Sequence, residues 1–151
     1  MLLAEVPRSV VASPALLARF PAVNTPEDLQ PFPWIAINSF YQRHVELFHD
    51  ASSATARIDI TPRLSTDSLY VARKTALTGL GVAVVSSWTV HDDIREGRLV
   101  HVLPEWQPAA LPVHLVYPWS RYYPARLRRF LELMRQVMPE VTGMRKPVQQ
   151  P

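Results

Sequence analysis

Thr55-Ala56-Arg57-Ile58-Asp59-Ile60 alternates polar and apolar residues with a period of two, the pattern of a strand with one solvated face. Thr66 then stands where a helix cap would, before Asp67 to Leu77. There an acidic first turn suits the helix dipole, and Leu69, Ala72, Arg73, Ala76, Leu77 and Leu80 recur at helical spacing. Gly79 and Gly81 stop that helix, and Val82-Ala83-Val84-Val85-Ser86 follows as a continuous apolar run, of the kind buried on both faces of a parallel sheet. Strand, helix and strand from Arg57 to Ser86 therefore read as a βαβ unit with a right-handed crossover and a parallel strand pair, which sets the class as α/β.

Upstream, Ser9-Val10-Val11-Ala12 is a short β-branched strand that runs into a helix capped by Ser13 and opened by Pro14. Thr25-Pro26-Glu27-Asp28 repeats the device, with Asp28 placed to reach back to the cap's own N–H. Pro31 and Pro33 break the chain before the strand Trp34 to Asn38, and residues 40–54 read as a loop. Downstream come a short helix from Val90 to Glu96 stopped by Gly97, a strand at Leu99 to Leu103, a proline-rich link through Trp106-Gln107-Pro108, and a strand at Leu111 to Tyr117. Pro124 opens a last helix in which Leu127, Phe130, Leu131, Met134 and Met138 form one apolar stripe, and residues 139–151 read as a disordered tail.

At 151 residues, 48% hydrophobic and 19% charged, the chain has the makings of one ordinary folded domain. The absence of cysteine excludes disulfides, iron–sulfur clusters, thiolate zinc sites and cysteine nucleophiles. A net charge of +3 makes no polycation, and no run is long or apolar enough for a membrane span or a secretory signal, so the expected location is the cytoplasm.

Catalytic and metal constellations do not emerge. Gly79 and Gly81 follow a helix and precede a strand, the reverse of a phosphate-binding fingerprint. Ser13, Ser86, His91 and Asp67 exist, but no Gly-x-Ser-x-Gly elbow holds a nucleophile, and no enzyme is expected. The five histidines show no helical ligand spacing, so no metal or other cofactor is expected. Arg126, Arg128, Arg129 and Arg135 lie largely opposite the apolar stripe as solvated charge, and no helix pair fits a DNA-reading helix-turn-helix. One place is chemically suggestive. Ser65, Thr66 and Ser68 emerge at the carboxyl end of a strand, beside the N–H groups that open a helix. Two readings stay open there, a site for a small anion or a plain cap.

Taken in order, Val10-Val11-Ala12-Ser13-Pro14-Ala15-Leu16-Leu17-Ala18, Thr25-Pro26-Glu27-Asp28-Leu29, Thr66-Asp67, Leu77-Thr78-Gly79-Leu80-Gly81-Val82-Ala83, Gly97-Arg98-Leu99-Val100, Leu103-Pro104-Glu105-Trp106 and Leu115-Val116-Tyr117-Pro118 before Arg126 to Phe130 resemble the effector-binding region of LysR-type transcriptional regulators. The resemblance runs from about Leu2 to Met138. It implies the fold of the type 2 periplasmic binding proteins, two α/β subdomains joined by two crossing strands, with a small-molecule inducer between them. On this reading residues 1–138 are the carboxy-terminal part of such a domain. The second subdomain is complete at about 30–105, the first is only partly present, and 111–138 supply a returning strand and closing helix.

The resemblance further implies an effector-sensing protein that binds a small molecule, a carboxylate being one candidate beside uncharged metabolites, through Ser65, Thr66 and Asp67 at the helix start, Ser13 near the hinge and Ser39 after the Trp34 strand. Asp67 suits the helix dipole better than it suits an anion. The implied partners are a second copy of the chain and promoter DNA, the latter only through a helix-turn-helix that these residues do not contain. A stand-alone solute-binding domain of a transporter is the rival, and would need a secretory signal and a full first lobe.

Overall fold

A computed structural model describes residues 1–38 and 43–147. The chain divides into two units, one of Met1–Pro7 with Ala110–Pro151 and the other of Arg8–Ala109.

The Arg8–Ala109 unit is a three-layer α/β structure. Its central sheet contains β2 (Arg8–Ala12), β3 (Trp34–Ile37), β6 (Pro62–Thr66), β7 (Val82–Ser86) and β8 (Val100–His101), in the order β6-β3-β7-β2-β8. β3 runs parallel to both β6 and β7, while β2 is antiparallel to β7 and β8. Helices α2 (Leu69–Leu77) and α3 (Ser87–Arg95) pack on one face, and α1 (Pro14–Leu17) leaves the end of β2. A second, antiparallel sheet lies in the order β5-β4-β9, with β4 at His44–His49, β5 at Thr55–Asp59 and β9 at Trp106–Pro108.

Two faces of apolar side chains explain why the inner strands read as unbroken hydrophobic runs. Val10, Ala12, Val82 and Val84 meet Val45, Leu47 and Ile58 of the small sheet on one side, and Val11, Ala83 and Val85 meet Ala72, Ala76 and Val90 of the helices on the other. Strand alternation directs successive residues to opposite faces, so a central strand covered twice must be apolar throughout. Trp34 is buried among these residues and its indole N–H donates to the Leu29 carbonyl at 3.1 Å. Close approach sets Gly81: a Cβ there would lie 2.8 Å from the Pro33 carbonyl oxygen, which accepts from Val82 N–H at 2.8 Å. Gly79 closes α2 at φ +77°, a left-handed conformation that favours glycine.

The structure corrects several expectations. The period-two stretch before Ile60 is β5 of the small antiparallel sheet, where one solvated face suits it, and the strand that leads into α2 is β6. β6 and β7 do not pair with each other; both flank β3, so the parallel relation runs through β3. The α2 cap is Ser68, whose Oγ accepts from Val71 N–H at 3.4 Å, because Thr66 is still in the ladder opposite Ile37. α3 starts at Ser87, before the expected Val90. The expected loop at 40–54 contains β4, and the expected link at 106–108 is β9. β4 alternates buried Val45 and Leu47 with exposed Glu46 and Phe48, and Phe48 on the wet face hides the pattern.

The other unit pairs β1 (Leu2–Val6) antiparallel to β10 (Leu111–His114) and adds α4 (Ala125–Val137). β1 was not anticipated from the sequence, and β10 is shorter than the run to Tyr117. No residue of α4 is buried. The described part of the expected tail is tied back, since Arg145 and Glu5 exchange backbone hydrogen bonds at 3.0 and 2.9 Å.

Candidate functional site

Parallel strands that end side by side present the first turns of their following helices along one edge of the sheet, the edge at which open α/β sheets bind ligands. β3, β6 and β7 end there at Ile37, Thr66 and Ser86, and the antiparallel register places Arg8, the first residue of β2, opposite Ser86. The edge thus carries Thr66, Asn38, Ser86 and Arg8.

Local hydrogen bonds fix these residues. Asn38 N–H donates to the Thr66 carbonyl at 3.0 Å, which prolongs the ladder by one residue beyond Ile37. The Thr66 hydroxyl accepts from Ser68 N–H at 3.1 Å, holding the turn between β6 and α2. Ser65 and Asp67 are exposed beside it, and Thr66 and Ser68 are half-buried. On the other side of β3, Ser9 and Ser87 share a hydrogen bond between hydroxyls at 2.7 Å, and the Thr89 hydroxyl donates to the Ser86 carbonyl at 2.7 Å. Arg8 Nε donates to the Ala109 carbonyl at 2.6 Å, joining the two ends of the Arg8–Ala109 unit.

Of the residues singled out from sequence, Ser65, Thr66 and Asp67 lie together at this edge. Ser13 does not join them. It follows the far end of β2, caps α1 by accepting from Leu16 N–H at 3.1 Å, and lies so near Gly79 that a Cβ there would come within 3.1 Å of its Oγ. Ser39 lies outside the described residues. Arg8, Ser9, Ser86 and Ser87 were missed as a group. The available signal was the pair Ser86-Ser87, which ends an apolar strand and immediately begins a helix.

The hollows of this unit open elsewhere. One of about 600 Å³ lies beside Phe20, Phe32, Pro33 and Pro62, where β3 and β6 begin. Another of about 580 Å³ lies beside Ser13, Lys74 and Arg98. Both belong to the edge opposite Thr66, where no helix of the unit begins beside the end of a parallel strand. No group of three or more metal-ligating side chains occurs among the described residues. None of the described helices is long and apolar enough to cross a membrane.

Comparison with known proteins places this architecture. The family model described as the LysR substrate binding domain matches residues 1–139. The HTH-type transcriptional regulator PtxR of Pseudomonas aeruginosa is 31% identical over 134 residues, which is 89% of this chain and 43% of that protein. The fold matches a full-length variant of AphB with a TM-score of 0.74 at 21% identity, covering 89% of this chain and 46% of that one. It matches the full-length Vibrio cholerae virulence activator AphB with a TM-score of 0.71 at 21% identity, covering 90% and 46%. These structures show the periplasmic-binding-protein-like type 2 fold expected from the sequence. The chain spans less than half the length of PtxR and of full-length AphB. With its βαβ framework, its hydroxyl-lined carboxyl edge and a family match from residue 1 to 139, the chain belongs to the LysR substrate-binding domain family.

Proposed function

We propose that this chain is the effector-sensing part of a LysR-type transcriptional regulator in the cytoplasm, binding a small molecule without catalysis. The effector lies along the carboxyl edge of the five-stranded sheet, against Ser65, Thr66 and Asn38. Promoter DNA is reached through a separate helix-turn-helix, and the active form is a homo-oligomer. The observation that carries this reading is the ladder that seats Asn38 against Thr66 at the ends of two adjacent parallel strands, with the Thr66 hydroxyl at the mouth of α2. Strand ends fix the spacing of such groups more tightly than a free loop does, and a recognition site requires that rigidity.

Asp67 contributes negative potential at this rim, so it serves orientation or the α2 dipole rather than contact with an acid. Ser13, at the opposite edge, acts on the fold and not on the ligand. The test is a thermal-shift screen of small carboxylates and uncharged metabolites, repeated with Thr66→Val. At least one compound is expected to raise the melting temperature of the native chain, with affinity about tenfold lower in the variant, the effect of one lost hydrogen bond. Equal affinity in both proteins would move the effector away from this edge.

A further inference from the structure

The hollow where β3 and β6 begin has a chemistry that effector binding at the other edge does not use. Two tight turns build its wall. Phe20 N–H donates to the Leu17 carbonyl at 3.2 Å as the chain leaves α1, and Phe32 N–H donates to the Leu29 carbonyl at 3.2 Å shortly before β3. The two rings stack with centroids 4.2 Å apart and planes at 24°. Phe32 is only 3% exposed and holds its ring still, while half-buried Phe20 keeps part of its ring open beside the hollow. Pro33 and Pro62 stand next to them, because the parallel register seats Trp34 opposite Pro62. Proline rings and a stacked phenyl pair lose little side-chain freedom when a ligand packs on them, so this surface is organised before anything binds.

The charge is one-sided. Arg19, in the turn after α1, and Arg63, in β6, reach the same hollow from separate elements. No carboxylate lines it, and among the described residues neither guanidinium forms an ion pair. Arg19 is anchored, since its Nη2 donates to the Gly79 carbonyl at 2.8 Å, and its other nitrogens remain for a ligand. Two guanidinium groups without counter-charge over an apolar floor draw an anion that carries a flat apolar group. The two oxygens of a carboxylate are taken up by one guanidinium fork. A phosphate monoester has three terminal oxygens and close to two charges, enough for two guanidinium groups that arrive from different elements. At about 600 Å³ the hollow has the size of a small-molecule site.

We propose that this hollow is a second ligand site, one that takes an aromatic phosphate monoester. The ring lies against Phe20 and the prolines, and the phosphate lies between Arg19 and Arg63. The site is at the edge of the sheet opposite Thr66 and does not depend on where the effector binds.

The test uses phenyl phosphate as the probe, followed through the backbone amide resonances of the whole chain. At millimolar concentration it is expected to shift the Phe20, Phe32 and Arg63 amides saturably. Benzoate, which lacks the second charge, and inorganic phosphate, which lacks the ring, are each expected to bind there at least about tenfold more weakly. Arg63→Gln removes an exposed guanidinium and is expected to keep the melting temperature while weakening phenyl phosphate about tenfold, as loss of a charge-assisted hydrogen bond does. Phe20→Leu is expected to weaken phenyl phosphate and to leave inorganic phosphate as it was. Benzoate as tight as phenyl phosphate would overturn the phosphate, and inorganic phosphate as tight would overturn the aromatic part. Unchanged affinity in Arg63→Gln would overturn the site. Shifts centred on Asn38, Thr66 and Ser68 would do so too, by moving the compound to the effector's edge.

Discussion

The carboxylate of Asp93, with its side chain 1% exposed, receives Arg73 Nε at 2.5 Å and Arg73 Nη2 at 2.9 Å, which locks α3 to α2. Arg98 completes the arrangement from the strand side, donating to the same carboxylate at 2.7 and 3.0 Å and also pairing with Glu96. The Asp93 main chain takes part as well, since its carbonyl accepts from Arg98 and Leu99 N–H groups and closes the turn at Gly97. The two helices that open on the candidate site are therefore fixed to each other by one buried acid. Asp93→Asn leaves two guanidinium groups without their charge partner. It should cost about 3 kcal/mol in urea unfolding, the lower end for a buried pair because Arg98 is half exposed and screened. A loss below about 1 kcal/mol would show that the pair is no better than a surface contact.

The same acid sets an acid limit. Burial raises its pKa, but the hydrogen bonds from Arg73 and Arg98 outweigh that and hold it below the ordinary carboxylate value of 3.8. A depressed folded pKa means stability that is full above the unfolded value and lost as pH falls through the folded one. Stability should therefore drop below about pH 4 in the native chain and drop less in Asp93→Asn, as followed by circular dichroism across acid titrations. Parallel acid curves for the two proteins would remove Asp93 from the cause.

His101 gives a second pH dependence, at a milder range. Burial lowers its pKa from 6.5, with Asp50 opposing, and Nε2 is enclosed without a partner. The unfolded chain takes up this proton more readily than the folded one, so stability is full above pH 6.5 and declines below it. His101→Phe removes both the proton site and the unpartnered atom. The variant should be at least as stable as the native chain at neutral pH and should lose less between neutral and mildly acid conditions in urea titrations. A variant as pH-sensitive as the native chain would assign the slope to other groups.

Two glycines separate close approach from backbone strain. A Cβ on Gly81 meets the Pro33 carbonyl at 2.8 Å, whereas one on Gly97 meets nothing within 4 Å but sits at φ +73°. Gly97→Ala should cost about 1 kcal/mol, the strain of a left-handed alanine. Gly81→Ala should cost more, on the order of 2–3 kcal/mol, because backbone must move beside Trp34. Melting temperatures of the two variants check the order, and the reverse order would contradict the packing at Pro33.

The closing helix has no fully buried residue, and its Leu127, Leu131 and Met134 are only half-buried. The stripe of Leu127, Phe130, Leu131 and Met134 was legible in the sequence, yet no α4 residue is buried and Phe130 is 46% exposed. Helices are stabilised mainly by packing an apolar face, so residues 111–138 should exchange amide hydrogens faster than β2 and β7 in a dilute sample. Equal protection would show that α4 finds a partner surface.

What the sequence revealed and what it concealed follow one physical rule. Strands covered on both faces, such as Val82–Ser86 and Trp34–Ile37, announce themselves as apolar runs, and serine followed by proline marked α1 at its cap. β6 escaped notice because it is an edge strand with exposed Arg63, Leu64 and Ser65, and only the backbone ladder to β3 defines it. β4 and β9 escaped because their pairing is long-range, with Leu47 opposite Pro108. At the candidate site, Thr66 was legible as a hydroxyl at a helix mouth. Ser87 was not, because its hydroxyl contact with Ser9 joins the start of α3 to a strand far away in sequence and emerges only from the folded geometry.

The central claim is that the effector binds where β3, β6 and β7 end. Amide chemical-shift mapping with a compound found in the carboxylate screen tests it most directly. The largest shifts should fall on Asn38, Thr66, Ser68, Trp88 and Thr89. Shifts centred on Ser13, Lys74 and Arg98, or on Phe20 and Phe32, would place the ligand at the opposite edge and contradict the account.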